Sequence, residues 1–244
     1  MTRIGHSSRI GRSDRTHPRT DRRGEARLPA VVAVLVAIAL YALLPEDLLL
    51  APRFVVPALE LLLLVAVIAV NPRRITRQTR LSRSVSLGMA LVIAAANQVA
   101  LGLLLHALLT VQAEQARELL IAAGQVWFTN IIAFGLIFWE LDRGGPVART
   151  QNDRERMQAA DFRFSQDEND DAVTEVAVSA SGRSDWVPTL IDYLYVSLTN
   201  STAFSPTDTM PLSPRAKLLM SIESVAALLT SVLVIARAVG ALQS

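Results

Sequence analysis

Long apolar runs, rather than amphipathic periods, dominate the hydropathy pattern of this chain. Each run is about 17 to 25 residues long and is built mainly from Leu, Val, Ala and Ile. A helix rising 1.5 Å per residue needs that length to cross a hydrocarbon core of about 30 Å. Five runs stand out, at residues 28–44, 54–70, 85–109, 119–141 and 216–240. The pattern predicts an all-α fold, a polytopic bundle of transmembrane helices, with four of the helices within residues 28–141.

Two segments of the chain are too polar to belong to this bundle. Residues 1–27 are rich in Arg, Ser, Thr, Asp and Gly, and we predict a disordered basic tail. Residues 142–186 carry six arginines against ten Asp and Glu and few large apolar residues. This composition predicts a solvated acidic loop that is largely disordered.

The C-terminal part, residues 187–240, begins with an ambiguous segment at residues 187–205. As a helix it places Leu190, Ile191, Leu194 and Leu198 on one face and Asp192, Tyr195, Thr199 and Thr202 on the other. Such a helix is too polar to face lipid all round. It is therefore predicted to be either a span in the bundle interior or a re-entrant half-helix covered by its neighbours.

The distribution of charge predicts the topology. The chain has 24 basic and 22 acidic residues, and eight of the arginines precede Leu28. These arginines lead straight into an apolar run without interleaved aromatic residues, so we favour a cytoplasmic flank over a nucleic-acid-binding arm. Five more arginines lie between Arg73 and Arg83 and predict a second cytoplasmic segment. Four spans would then return the acidic loop to the cytoplasm. Five or six spans are both compatible with this arrangement, and Arg237 near the end slightly favours six.

The sequence carries no sign of enzymatic chemistry. There is no cysteine, which excludes disulfides, zinc–thiolate sites and cysteine nucleophiles. The chain also lacks a glycine-rich phosphate loop and the H-E-x-x-H and G-x-S-x-G motifs. We therefore predict a protein that is not an enzyme and that uses neither a cofactor nor a metal.

Polar residues within the apolar runs are the candidate functional groups. An ion path or polar interior is predicted from Asp192, Tyr195, Thr199, Asn200, Thr202 and Glu223. A proton relay through Glu60 and His106 is the alternative. A charge at the position of Glu60 costs about 2.5 to 3.5 kcal/mol unless it is paired or protonated. A structural partner for Glu60 is expected among Asn97, Gln98 and His106.

The C-terminal residues carry two resemblances. The order from Thr199 to Asp208, then Pro211 and a last helix, is similar in layout to the pore module of potassium channels. That filter uses glycines, whereas Ala203 and its neighbours stand here, so a carbonyl filter is not expected. A closer resemblance is to a family of bacterial inner-membrane proteins without an established activity. Its signature matches Asp192, Tyr195, Thr199, Phe204 and Asp208, followed by Arg215 and Lys217, with Ser201 where the family tends to have Gly.

These observations together predict a multi-pass protein of the cell (inner) membrane with a cytoplasmic N-terminus. The leading functional interpretation is the binding or conduction of a small ion through a polar bundle interior. A structural or regulatory membrane protein without a transported substrate is the alternative, and a proton-coupled carrier is the third. The predicted partner is the lipid bilayer, no nucleic acid is expected, and assembly as a homo-oligomer is left open.

Overall fold

The computed structural model describes residues 24–77, 79–110, 116–153, 156–169, 172–181, 184, 186–202 and 208–242. Within these residues the chain is mostly helical, which confirms the predicted all-α class. The α-helices are α1 (Leu28–Ala42), α2 (Val55–Val70), α3 (Arg80–Thr110), α4 (Ala116–Leu141), α5 (Pro146–Gln151), α6 (Thr174–Ala177), α7 (Leu190–Ser201) and α8 (Pro214–Leu242). Two short antiparallel ladders join β1 (Glu25–Ala26) to β2 (Arg74–Ile75) and β3 (Phe162–Arg163) to β4 (Met210–Pro211).

Helix α4 lies at the centre of the bundle and packs against α1, α3, α7 and α8. Its inward residues, among them Phe134, Ile137 and Phe138, belong to an apolar core that also includes residues of α1, α3 and α7. A second core joins the other ends of α1, α3 and α4. Residues 131–139 of α4 are apolar on every side, because neighbouring helices pack around this part of the helix and nearly all of its residues are buried.

Three helical stretches are long and apolar enough to cross a membrane: Arg80–Thr110, Arg117–Gly144 and Pro214–Arg237. Helices α1 and α2 are equally apolar but have only 15 and 16 residues. At 1.5 Å per residue they are about 22 to 24 Å long. The segment that links them also packs on the bundle, since Leu44 and Leu48 within it are buried.

One end of the bundle collects most of the charged residues, and we call it the polar end. It consists of the described residues within Gly24–Arg27, 71–83, 142–189 and 208–213. The Arg27 guanidinium Nη1 donates to the carbonyl of Asn71 at 3.0 Å and so joins the start of α1 to the end of α2. The Leu190 amide donates to Glu25 Oε1 at 2.8 Å, which brings the start of α7 to the same end.

The predicted disorder through residue 27 is wrong for Gly24–Arg27. Strand β1 pairs with β2, and Arg27 is buried with its side chain bonded to Asn71. These contacts join residues more than forty positions apart, so composition alone could not reveal them. Residues 1–23 lie outside the described part of the chain.

The acidic loop is also folded in its described residues, contrary to the prediction. Phe162 and Phe164 are buried, and their ring centroids lie 6.2 and 5.5 Å from that of Tyr193 in edge-on contacts. Two phenylalanines flanking Arg163 thus provide the apolar surface of a loop that is otherwise mostly polar. They hold the loop against α7.

The short helix α7 and the final helix α8 begin at the same end of the bundle. The 12 residues of α7 span about 18 Å, roughly half of a hydrocarbon core. Strand β4, which follows α7, pairs with β3 in the loop that precedes α7. Arg215 at the start of α8 binds Asp161 of that loop with an N–O distance of 2.5 Å. The chain therefore runs inward along α7 and is back at the polar end by Met210.

Candidate functional site

A fully buried carboxyl group, that of Glu223 in α8, is the centre of the candidate site. The hydroxyl of Ser201 donates to Glu223 Oε1 at 3.1 Å, and Ser197 Oγ is hydrogen-bonded to the same oxygen. The side-chain amide of Asn200 donates to Glu223 Oε2 at 2.7 Å. Three neighbouring side chains of α7 therefore surround one carboxyl of α8.

A second layer of contacts fixes this arrangement. Asn200 Nδ2 also donates to the carbonyl of Met220 at 3.0 Å, and its Oδ1 accepts from Ser224 Oγ at 2.9 Å. The indole of Trp127 in α4 donates to the carbonyl of Ser201 at 3.4 Å. The site lies at the C-terminal end of α7, where the helix dipole is negative.

No basic side chain of the described residues forms an ion pair with Glu223. The hydroxyl of Ser197 gives independent information on the charge of the carboxyl. It is hydrogen-bonded both to the carbonyl of Ile131, at 2.8 Å, and to Glu223 Oε1. A hydroxyl has one proton and can donate to only one acceptor. Both contacts are satisfied at once when Glu223 is protonated and donates to Ser197.

Close packing of α7 on α4 depends on Gly135. A Cβ atom at this position would lie 2.7 Å from Leu194 Cδ2 and 3.2 Å from Leu194 Cα. A larger residue at position 135 would push α7 away from α4. The absence of a side chain here lets Ser197 reach the backbone of α4 four residues earlier, at Ile131.

Four residues in or next to α7 that were predicted to line the polar interior of the bundle do not contribute to the cluster around Glu223. Asp192 caps the helix, since its Oδ2 accepts from the Thr189 amide at 2.7 Å and from the Thr189 hydroxyl at 2.9 Å. Tyr195 is 50% exposed on the outside of the bundle. Thr199 donates to the carbonyl of Tyr195 and Thr202 to that of Thr199, so both hydroxyls are used locally.

The inward face of α7 is offset from the predicted polar face. Its buried positions include Leu190, Tyr193, Ser197 and Ser201. Among the predicted residues, the structure brings together only Asn200 and Glu223. Ser197 and Ser201 were missed, although their spacing of four residues places both hydroxyls on one helical face. Phe204, part of the family resemblance, lies outside the described residues.

The expected pairing of Glu60 is wrong. Glu60 is buried, and its Oε2 has no hydrogen-bond partner among the described residues. Gln98 and Asn97 donate instead to Asn130 Oδ1, at 2.8 and 3.4 Å. His106 is exposed, and no hydrogen bond of the described residues joins it to Glu60. The two residues of the alternative proton relay are therefore not connected.

A second polar cluster, at the polar end, contains a buried acidic residue together with basic residues that balance its charge. Asp142 is fully buried; its Oδ1 accepts from the Asp161 amide at 2.6 Å and its Oδ2 from Arg143 at 2.8 Å and from the Tyr193 hydroxyl. Arg149 donates to the carbonyl of Asp142 at 2.8 Å, and its guanidinium lies 4.9 Å from the centroid of the Tyr193 ring. This cluster anchors the loop to the start of α7.

Glu25 links the N-terminal segment to the same place. Besides binding the Leu190 amide, its carboxyl accepts from the Trp139 indole at 3.0 Å. Burial raises the pKa of the Glu25 carboxyl, while the hydrogen bond from Leu190, the charge of Arg149 and the Trp139 contact oppose this shift. The first turn of α7 is thus capped by a residue from the start of the chain.

No cluster of three or more His, Cys, Asp or Glu suited to a metal ion occurs in the described part of the chain. Comparisons of the chain with protein-family models, curated proteins and solved structures find no match in any of the three.

Proposed function

We propose that the protein is an integral membrane protein that crosses the bilayer five times, through α1 to α4 and α8. Helix α7 would then be re-entrant, dipping into the membrane from the polar end. The length of α7 and the pairing of β4 with β3 support five crossings over six. The arginines of residues 73–83 lie at this end and favour a cytoplasmic location for it.

We further propose that the membrane-embedded function is the passage of a small cation, the proton, which Glu223 binds on its way through the bundle. The single observation that carries this proposal is a fully buried carboxyl held by three neutral side chains of a half-helix. An ionised carboxylate without a counter-ion is costly at this depth, so the group must hold a proton or another cation. The hydrogen bonds of Ser197 favour the proton, because they are complete only with a protonated carboxyl.

Proton flux into liposomes tests this proposal. The purified protein is reconstituted with a pH-sensitive dye inside the vesicles, and a potassium diffusion potential drives proton entry. We expect dye acidification with the wild-type protein and none with Glu223→Gln, which keeps the shape of the side chain but cannot exchange a proton. Glu60→Gln is the matched control, because Glu60 is another buried carboxyl of the membrane-embedded part and should leave the flux unchanged.

Two results would contradict the proposal. Equal flux with the wild-type protein and Glu223→Gln would remove Glu223 from any proton path. Loss of flux with Glu60→Gln but not with Glu223→Gln would favour the relay through Glu60 and His106 instead.

A structural role for the same residues is the second candidate function. It is favoured by one observation: both carboxyl oxygens of Glu223 already have protein donors. In that case the cluster only fastens α7 to α8. Wild-type liposomes would then show no flux above protein-free liposomes, while Glu223→Ala would still lower the stability of the protein.

A further inference from the structure

A half-open cavity of about 20 Å³ lies at the polar end, between the end of α2 and the start of α3. Its polar lining includes Arg27, Asn71, Arg77, Ser82, Arg83 and Glu140. A deeper cavity of about 10 Å³ shares Arg27 and Glu140 with it and continues among apolar residues of α1 to α4. The polar cavity therefore opens outward at the level where α2 ends and α3 begins.

Arg27 is the buried polar residue of this cavity, with only 6% of its surface exposed. Its Nη1 donates to the carbonyl of Asn71, but its Nε has no hydrogen-bond partner among the described residues. A buried guanidinium N–H without an acceptor is costly. An acceptor that enters the cavity would relieve that cost.

The charge of the lining has the sign that attracts an anion. Three arginines against one glutamate leave a net charge of +2. The single glutamate, Glu140, accepts a hydrogen bond from Ser86 at Oε1, while its buried Oε2 has no hydrogen-bond partner among the described residues. The positive charges of Arg27 and Arg83 act on this carboxyl. Neither Arg77 nor Arg83 forms an ion pair with another described residue.

The start of α3 adds the positive end of a helix dipole at the mouth of the cavity. Thr79 and Ser82 cap each other's backbone, each hydroxyl accepting from the other residue's amide at 3.0 Å. The amide of Arg83 donates to the carbonyl of Thr79 at 3.1 Å, so the start of this 31-residue helix contributes the positive end of its dipole rather than free N–H groups. Arginine forks beside the positive end of a helix dipole are suited to a phosphate.

We propose that the mouth of this cavity binds the phosphate group of an anionic phospholipid. Arg77 and Arg83 would hold the phosphate at the mouth, and one phosphate oxygen would enter the cavity beside Arg27, because the cavity has room for about one water-sized group. The lipid is the favoured source because the site lies where two apolar helices end, which is the depth of the headgroups in a membrane-embedded bundle. The inference rests on the proposed membrane placement and is independent of proton binding by Glu223.

Lipid retention and thermal unfolding test the site with a matched pair of variants. The double variant Arg77→Gln/Arg83→Gln removes two charges from the cavity. The control Arg73→Gln/Arg80→Gln removes two charges from exposed arginines of the same segment that do not line it. Each protein is titrated in detergent with phosphatidylglycerol, phosphatidylcholine or inorganic phosphate. The unfolding midpoint is recorded for each titration, and bound lipid is measured by native mass spectrometry.

We expect phosphatidylglycerol, but not phosphatidylcholine, to be retained by the wild-type protein and to raise its unfolding midpoint. The Arg77→Gln/Arg83→Gln variant should bind phosphatidylglycerol about tenfold to thirtyfold more weakly, since each arginine near an anionic headgroup contributes about fivefold in affinity. The control variant should differ from the wild-type protein by less than about threefold.

Three results would overturn the proposal. Equal weakening in the two double variants would indicate diffuse attraction to the surface rather than a site. Equal retention of phosphatidylcholine would remove the requirement for a net negative headgroup. Protection by inorganic phosphate in the absence of protection by phosphatidylglycerol would assign the cavity to a soluble anion.

Discussion

Replacement of Glu223 distinguishes a neutral carboxyl from an ionised one through stability alone. Glu223→Ala removes the acceptor or donor for Ser197, Asn200 and Ser201. Hydrogen bonds between membrane helices contribute about 0.6 kcal/mol each, so the three together come to about 2 kcal/mol. The void left by the lost side chain adds to this cost.

Glu223→Gln should behave differently. The amide oxygen of glutamine can accept from Asn200 Nδ2, and its NH₂ group can donate to Ser197, as the protonated carboxyl does. Ser201 donates to Glu223 Oε1 in the wild-type protein and would have to turn its hydroxyl and accept from the NH₂ group instead. We therefore expect Glu223→Gln to change the free energy of unfolding by less than about 0.6 kcal/mol, the value of one such bond.

Equilibrium unfolding in mixed micelles, followed by tryptophan fluorescence, measures both variants, and Trp127 reports directly because it contacts Ser201. Ser224→Ala, which removes one bond to Asn200 next to the carboxyl, calibrates the scale. The reasoning fails if Glu223→Gln is as destabilising as Glu223→Ala, because the native carboxyl would then be an ionised acceptor that an amide cannot replace.

Four further outcomes are expected. In the same unfolding assay, Gly135→Ala should destabilise the bundle by about 1 to 3 kcal/mol, because its Cβ would clash with Leu194. Gly124→Ala has open space around its Cβ and should be neutral or stabilising by up to about 1 kcal/mol. Phe162→Ala should cost about 3 to 5 kcal/mol and expose the loop to limited proteolysis, while the exposed Val178→Ala leaves the cleavage pattern unchanged. The pKa of Glu25 is raised in the folded protein, so this carboxyl should stabilise the fold at low pH and lose that contribution as the pH rises above 4.5, the usual pKa of a glutamate. Unfolding measured at several pH values should show this decline in the wild-type protein and not in Glu25→Gln. In intact cells a membrane-impermeant maleimide should label Ser244→Cys but not Ser179→Cys, and labelling of neither position before lysis would indicate six spans instead of five.

The apolar runs of the sequence were sufficient to predict the long helices, because a helix that is apolar on every side has few alternatives to a membrane or a large core. The start of α7 at Leu190 could also be predicted from the sequence. Thr189 and Asp192 stand in the spacing of a capping box, which is how the structure uses them, rather than as a polar stripe.

The inward face of α7 was harder to predict, because small hydroxyl residues occur on both sides of it. Thr199 satisfies its hydroxyl on its own helix, so it can face outward at little cost. Ser197 and Ser201 face inward because they form hydrogen bonds with Glu223, which lies 26 and 22 residues later in the chain. Only the packing of α8 on α7 decides between the two faces.

The folding of the acidic loop illustrates the same limit. Its composition is that of a disordered segment, yet Asp142 binds amides about twenty residues away and Asp161 binds Arg215. Such contacts depend on the loop being brought between α4 and the start of α8. Local composition contains no information about that proximity.

The protonation state of Glu223 is the most direct test of the central claim. Infrared spectra of the reconstituted wild-type protein and of Glu223→Gln, recorded at neutral pH, isolate the signal of this one carboxyl as their difference. We expect the carbonyl stretch of a protonated carboxylic acid in the wild-type protein and its absence from the variant. A difference spectrum containing only the symmetric and antisymmetric bands of a carboxylate would contradict the assignment of Glu223 as a proton-binding residue.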